Sequence, residues 1–170
     1  MKSPIIAWAV CAASLFITGC SNINCPLDNV VMMQCNFYES ETKRVLTLHN
    51  MLDVMPANSD TVLINRITQV NHILLPLREG GDLDTLLLQF SNAEEQTATD
   101  TLFVSHTRQP HFESVDCPAS VFHTITAVRA TSHPLSEFPL TIDSVSVVRS
   151  AVNYDDIENI RIFLRSTSDK

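Results

Sequence analysis

The sequence predicts an all-β domain built as an antiparallel sandwich. Three observations predict it. Helical periodicity is weak along the chain, and the apolar runs are short and rich in β-branched residues. Apolar and polar residues alternate with a period of two, which places one side of a strand in a core and the other in water. Turn-forming residues interrupt these runs at short intervals.

The strands follow in order. Val31, Met33, Cys35 and Phe37 share one face of a first strand, and Val45, Thr47 and His49 mark a weaker second. Thr61 to Ile67 reads as a third, and His72 to Leu77 as a fourth that stops near Pro76. Glu79-Gly80-Gly81-Asp82 is a turn, where glycine is expected to supply a positive φ. Leu86, Leu88 and Phe90 then point one way and Gln89 the other, and Asn92 to Thr99 reads as a polar loop. Further strands are expected at Thr101 to Thr107, Val121 to Arg129, Ile142 to Ser150 and Ile160 to Arg165. About eight or nine short strands fit a sandwich of immunoglobulin-like or transthyretin-like type. A lipocalin-like barrel would need longer strands around a ligand cavity.

The first residues read as an address. Lys2 gives a positive start, and Ile5 to Ile17 is an apolar run. It is shorter than the roughly 20 residues a membrane-spanning helix needs, and it suits a secretory leader. The run ends in Ile17-Thr18-Gly19-Cys20. This resembles the bacterial lipobox, an aliphatic residue and two small residues before a cysteine whose thiol accepts a diacylglycerol. The expected organisation is a lipoprotein signal peptide over 1–19, a lipidated tether over 20–24 and one β-sandwich domain over 25–167. Trp8 and Cys11 leave with the leader. Ser21-Asn22-Ile23-Asn24 has neither the aspartate that retains enteric lipoproteins at the inner membrane nor the acidic cluster of surface-exported ones. The expected location is therefore the cell envelope, on the periplasmic face of the outer membrane.

The chain after the leader holds 10 basic and 19 acidic residues, a net charge of −9. That excludes a nucleic-acid binder, which needs basic patches, and disfavours anionic lipid heads. Its two glycines, Gly80 and Gly81, are adjacent, so no phosphate-cradling loop can be built. It has no tryptophan, which weakens a sugar-stacking face.

Cys25, Cys35 and Cys117 remain for an oxidising compartment. Cys35 lies mid-strand on an apolar face, where a thiol behaves as a small hydrophobe. Cys25 and Cys117 each precede a proline, where a strand must stop or bend. Cys25–Cys117 is the expected disulfide, with Cys35–Cys117 as the competing pair.

No catalytic residue is assigned. His106, His111, Cys117 and His123 are zinc-ligand types, but their spacing is wrong for a compact site. Asp155, Asp156, Glu158 and Asn159 lack the glycine hinge of a calcium loop and read as a hairpin turn. Asp82 and Asp84 read as turn residues beside the glycines. His111, Ser114 and Asp116 carry triad letters, yet alternation along a strand sends neighbours to opposite faces. Neither a metal nor a cofactor is called for.

Cys25-Pro26-Leu27-Asp28-Asn29-Val30, Asp60 to Arg66, His111 to Cys117, Val152 to Asp155 and Glu158 to Ile160 together resemble an uncharacterised family of small lipoproteins from Bacteroidota, a domain of unknown function. The resemblance implies an envelope location and favours pairing Cys25 with Cys117. It implies no activity. The function expected is a non-enzymatic docking module on an envelope protein such as an outer-membrane barrel. The alternative is a glycan- or peptide-binding lipoprotein using loops around Phe112 and Tyr154, and a metal-dependent hydrolase built on the histidines stands behind both.

Overall fold

A computed structural model describes residues 31–155 and 157–167. Ten strands run β1 (Met32–Glu39), β2 (Met51–Pro56), β3 (Ile64–Ile67), β4 (His72–Pro76), β5 (Leu83–Ser91), β6 (Thr97–His111), β7 (Ser120–Ala130), β8 (Leu140–Val147), β9 (Ala151–Val152) and β10 (Glu158–Ser166). They form a four-stranded sheet, β4-β1-β10-β8, and a six-stranded sheet, β3-β2-β5-β6-β7-β9. No helix occurs among the described residues. The two sheets pack as a β-sandwich.

Alternation builds the core. Met33, Cys35 and Phe37 of β1, and Ile160, Ile162 and Leu164 of β10, face inward from the smaller sheet. Leu52, Val54, Leu86, Leu88, Phe90, Leu102 and Val104 meet them from the larger one. Each such side chain contributes about 1.5–3 kcal/mol when removed from water. Among the described residues all strand pairs are antiparallel except one: β1 runs parallel to β10 in the middle of the smaller sheet. The first and last strands thus meet there.

The pairing of β1 with β10 skips one residue at Asn159, a β-bulge. The bulge is fully bonded. Asn159 Oδ1 accepts the Gln34 amide at 3.0 Å, and Nδ2 donates to the carbonyls of Ala151 (2.8 Å) and Arg149 (3.2 Å). An extra residue that would weaken the sheet instead joins β1, β10 and the chain entering β9.

Several expectations are corrected. The second strand is Met51–Pro56, not Val45 to His49, where only isolated bridges Tyr38–Val45 and Leu48–Val70 form. The polar loop is shorter than Asn92 to Thr99, because β6 begins at Thr97. The glycine turn forms, but neither glycine has a positive φ. A Cβ at Gly81 would sit 3.0 Å from Arg78 Nη2, so a larger residue there requires the Arg78 guanidinium to shift by a few tenths of an ångström. Among the described residues positive φ falls instead on Lys43, Gln69 and Glu95 outside the strands and on Arg66 within β3.

Candidate functional site

Strand parity brings three buried acids or histidines of the larger sheet together. Asp84 shares the face of Leu86 and Leu88, His106 that of Leu102 and Val104, and His123 that of Ile125. Asp84 Oδ1 accepts Arg78 Nε at 3.0 Å, and Oδ2 accepts the Arg78 amide at 3.1 Å. His106 Nε2 donates to Asp84 Oδ2 at 2.8 Å, since an ionised carboxylate only accepts. His106 Nδ1 and His123 Nδ1 share the next hydrogen at 3.1 Å. Were both rings doubly protonated, two N–H groups would face each other with no acceptor between them.

Burial, then the neighbouring His106, pushes the His123 pKa down to about 4; Asp84 opposes this and Arg108 adds to it. The unfolded chain holds His123 near 6.5. Between these values the unfolded state binds more protons, so stability is full above about pH 6.5 and falls as pH drops toward 4. The expected loss between pH 7 and pH 5 is roughly 2 kcal/mol from this residue. Denaturant midpoints of the wild type and of His123→Gln at both pH values measure it. Equal pH slopes for the two proteins would contradict the assignment.

A second buried acid clasps the two sheets. Asp100, on β6, is fully buried. Its Oδ1 accepts the amide of His133 at 2.7 Å and His133 Nδ1 at 2.8 Å. Its Oδ2 accepts the Ile142 amide at 2.8 Å and the Thr141 hydroxyl at 3.1 Å. Ile142 and Thr141 lie on β8 of the opposite sheet, and His133 in the connection leading to it. Four donors converge on one carboxylate across the core.

The third feature is the end of the β6–β7 hairpin, whose last pair is His111 with Ser120. His111 stacks on Phe122 with ring centroids 4.2 Å apart, and Phe122 meets Tyr154 edge-on at 5.0 Å. Tyr154 Oη donates to Ser120 Oγ at 2.5 Å. These rings pack against each other and stay partly exposed at His111 and Tyr154. Beyond them the connecting loop exposes Phe112 (65 %) and Val115 (97 %), while Cys117 is buried.

The expected site residues fall as follows. Cys20 and Cys25 lie outside the described residues. Cys35 is a free, fully buried thiol whose pKa burial pushes up to about 12, leaving it unreactive. Of the four zinc-type residues only His106 and His123 touch; His111 instead binds Glu113 at 3.0 Å. No three metal-ligating side chains gather among the described residues. Asp155 pairs with Arg149 at 2.8 Å, Asp82 with Arg108 at 2.9 Å, and Glu158 with Arg161 at 3.0 Å. Asp116 donates its amide to Ser114 Oγ, so those triad letters close a loop turn. Asp84 is a buried strand residue rather than a turn residue, which corrects the earlier expectation. Asp100 and His133 carried no expectation, although Asp100 sits in register with the buried Ala98 and Leu102, a parity that betrays it.

No curated protein matches the chain, and no solved structure does. A family model matches residues 51–164, from the start of β2 to within β10. The chain belongs to that family, a family of unknown function (DUF6452).

Proposed function

We propose that the protein is a lipid-anchored cell-envelope lipoprotein of Bacteroidota type, a non-enzymatic docking module on the periplasmic face of the outer membrane. The observation that carries this reading is Ile17-Thr18-Gly19-Cys20 closing a short apolar run behind Lys2. Cleavage before Cys20 and acylation of its thiol give two or more acyl chains. Each buried CH₂ contributes about 0.8 kcal/mol, enough together for stable attachment.

The interior supports docking over catalysis. Asp84, His106 and His123 bind one another, and Asp100 and Asn159 bind backbone groups. Their chemistry holds the sandwich together, which leaves the surface as the working part.

The tether reading adds a disulfide from Cys25 to Cys117. Cys117 is disulfide-bonded and Cys35 is a buried free thiol, which favours a partner among the cysteines before residue 31. Bonding at Cys25 leaves five residues from the lipid to the domain, a reach of at most about 17 Å.

Affinity capture from native membranes tests the reading. The wild-type chain is expected to sediment with membranes and to recover one reproducible envelope protein, and Cys20→Ala to be soluble and to recover none. Failure to recover any reproducible partner removes the docking role. A Cys20→Ala variant that stays in the membrane removes the anchor.

A further inference from the structure

We propose that the loop closing the β6–β7 hairpin, residues 112–119, lies with its first half in the boundary between lipid headgroups and acyl chains, with Phe112 and Val115 as the side chains that enter it. This deepens the anchored reading above and rests on it.

The loop presents two large apolar side chains three positions apart, 65 % and 97 % exposed, at the tip of a hairpin. The tip has a firm base. Strand pairing runs to His111–Ser120, and the stacked rings with the Tyr154–Ser120 hydrogen bond brace it from one side.

The occupant follows from where the chain is tied. Cys117 stands two residues after Val115. With Cys25 bonded to it, the lipid on Cys20 lies within about 17 Å of Cys25, and across the disulfide and the two residues to Val115 within roughly 30 Å of this loop at full extension. A bilayer surface is then the nearest large apolar phase, and the anchor holds it there at high effective concentration. Glu113 and Asp116 flank the apolar residues. They limit the depth of entry and select a zwitterionic surface over an anionic one, in keeping with the acidic chain.

The mature chain supplies its own reporter background, because the sole tryptophan, Trp8, precedes Cys20. Phe112→Trp therefore places one indole at the tip. Ala93→Trp places one at the opposite end of β6, in the exposed turn joining it to β5. The 15 residues of β6 separate the two positions by roughly 50 Å. Each acylated variant is reconstituted into phosphatidylcholine vesicles containing bromine-labelled acyl chains.

The indole at position 112 is expected to emit at shorter wavelength and to be quenched by the bromine, and the indole at 93 to report water. Added phosphatidylglycerol is expected to weaken the quenching. If the protein floats with the vesicles while both indoles report water, the loop does not touch lipid, and the anchored reading survives alone. If position 112 emits at the same short wavelength without vesicles, the loop is covered by protein and the inference fails. A chain that carries no lipid and does not float overturns the anchored reading together with this one.

Discussion

Replacing Asp100 by asparagine is expected to destabilise the domain by about 3 kcal/mol, although the two side chains have nearly the same volume. The carboxylate receives two donors on each oxygen, from His133 on one and from Thr141 and Ile142 on the other. Asparagine must turn an NH₂ group toward one of these pairs. At least one buried backbone N–H then faces a donor, at about 1–3 kcal/mol, and the charge-assisted bonds on the other oxygen weaken. Asp100 is fully buried, so bulk water does not reach it to replace the lost acceptor. Asp82→Asn is the comparison. Asp82 makes an exposed pair with Arg108, and such pairs contribute at most about 1 kcal/mol. Denaturant midpoints of both variants give the numbers. A loss below about 1 kcal/mol for Asp100→Asn would mean that the clasp does not join the sheets.

The second large effect lies in the proposed disulfide. Cys25→Ser and Cys117→Ser are each expected to lower stability by up to about 4 kcal/mol, because a bond between them closes a loop of roughly ninety residues in the unfolded chain. The double variant should lose no more than either single one, since both remove the same bond. Cys35→Ala should behave differently, with a smaller loss from a cavity in the core. Peptide mapping without reductant is expected to join the peptides of Cys25 and Cys117 and to leave Cys35 free. A Cys117 peptide joined elsewhere, or additive losses in the double variant, would overturn the pairing.

Strand identity was readable wherever one face met the core and the other met water. Met33, Cys35 and Phe37 in β1, Leu86, Leu88 and Phe90 in β5, and Ile160, Ile162 and Leu164 in β10 are buried as alternation requires. β2 escaped because methionines flank its buried Leu52 and Val54 on the other face, and Pro56 closes it, so alternation is blurred. β9, with two residues, is too short to carry a period. Strand order was beyond reach for a physical reason: the parallel contact of β1 with β10 joins the two ends of the domain, and local pattern holds no record of such a pairing.

The polar clusters were partly legible. Asp84, Asp100 and His106 occupy positions whose parity assigns them to the core, and a polar residue at such a position must find a partner there. Which partner depends on register and on the packing of one sheet over the other. The His106–His123 contact arises from strand pairing across a β-bulge, and the Asp100 clasp spans both sheets. The glycine turn shows the converse. Its place was legible, but the close approach of the Arg78 guanidinium to Gly81 is a contact invisible in composition.

The proposed membrane anchor is the claim on which the function rests, and the mass of the native protein tests it most directly. Extracted from its own membranes, the chain should begin at position 20 and carry the added mass of a diacylglycerol on that cysteine's sulfur. A soluble chain that still starts at Met1, with every thiol unacylated, would contradict the anchor, the short tether and the lipid contact of the hairpin tip together.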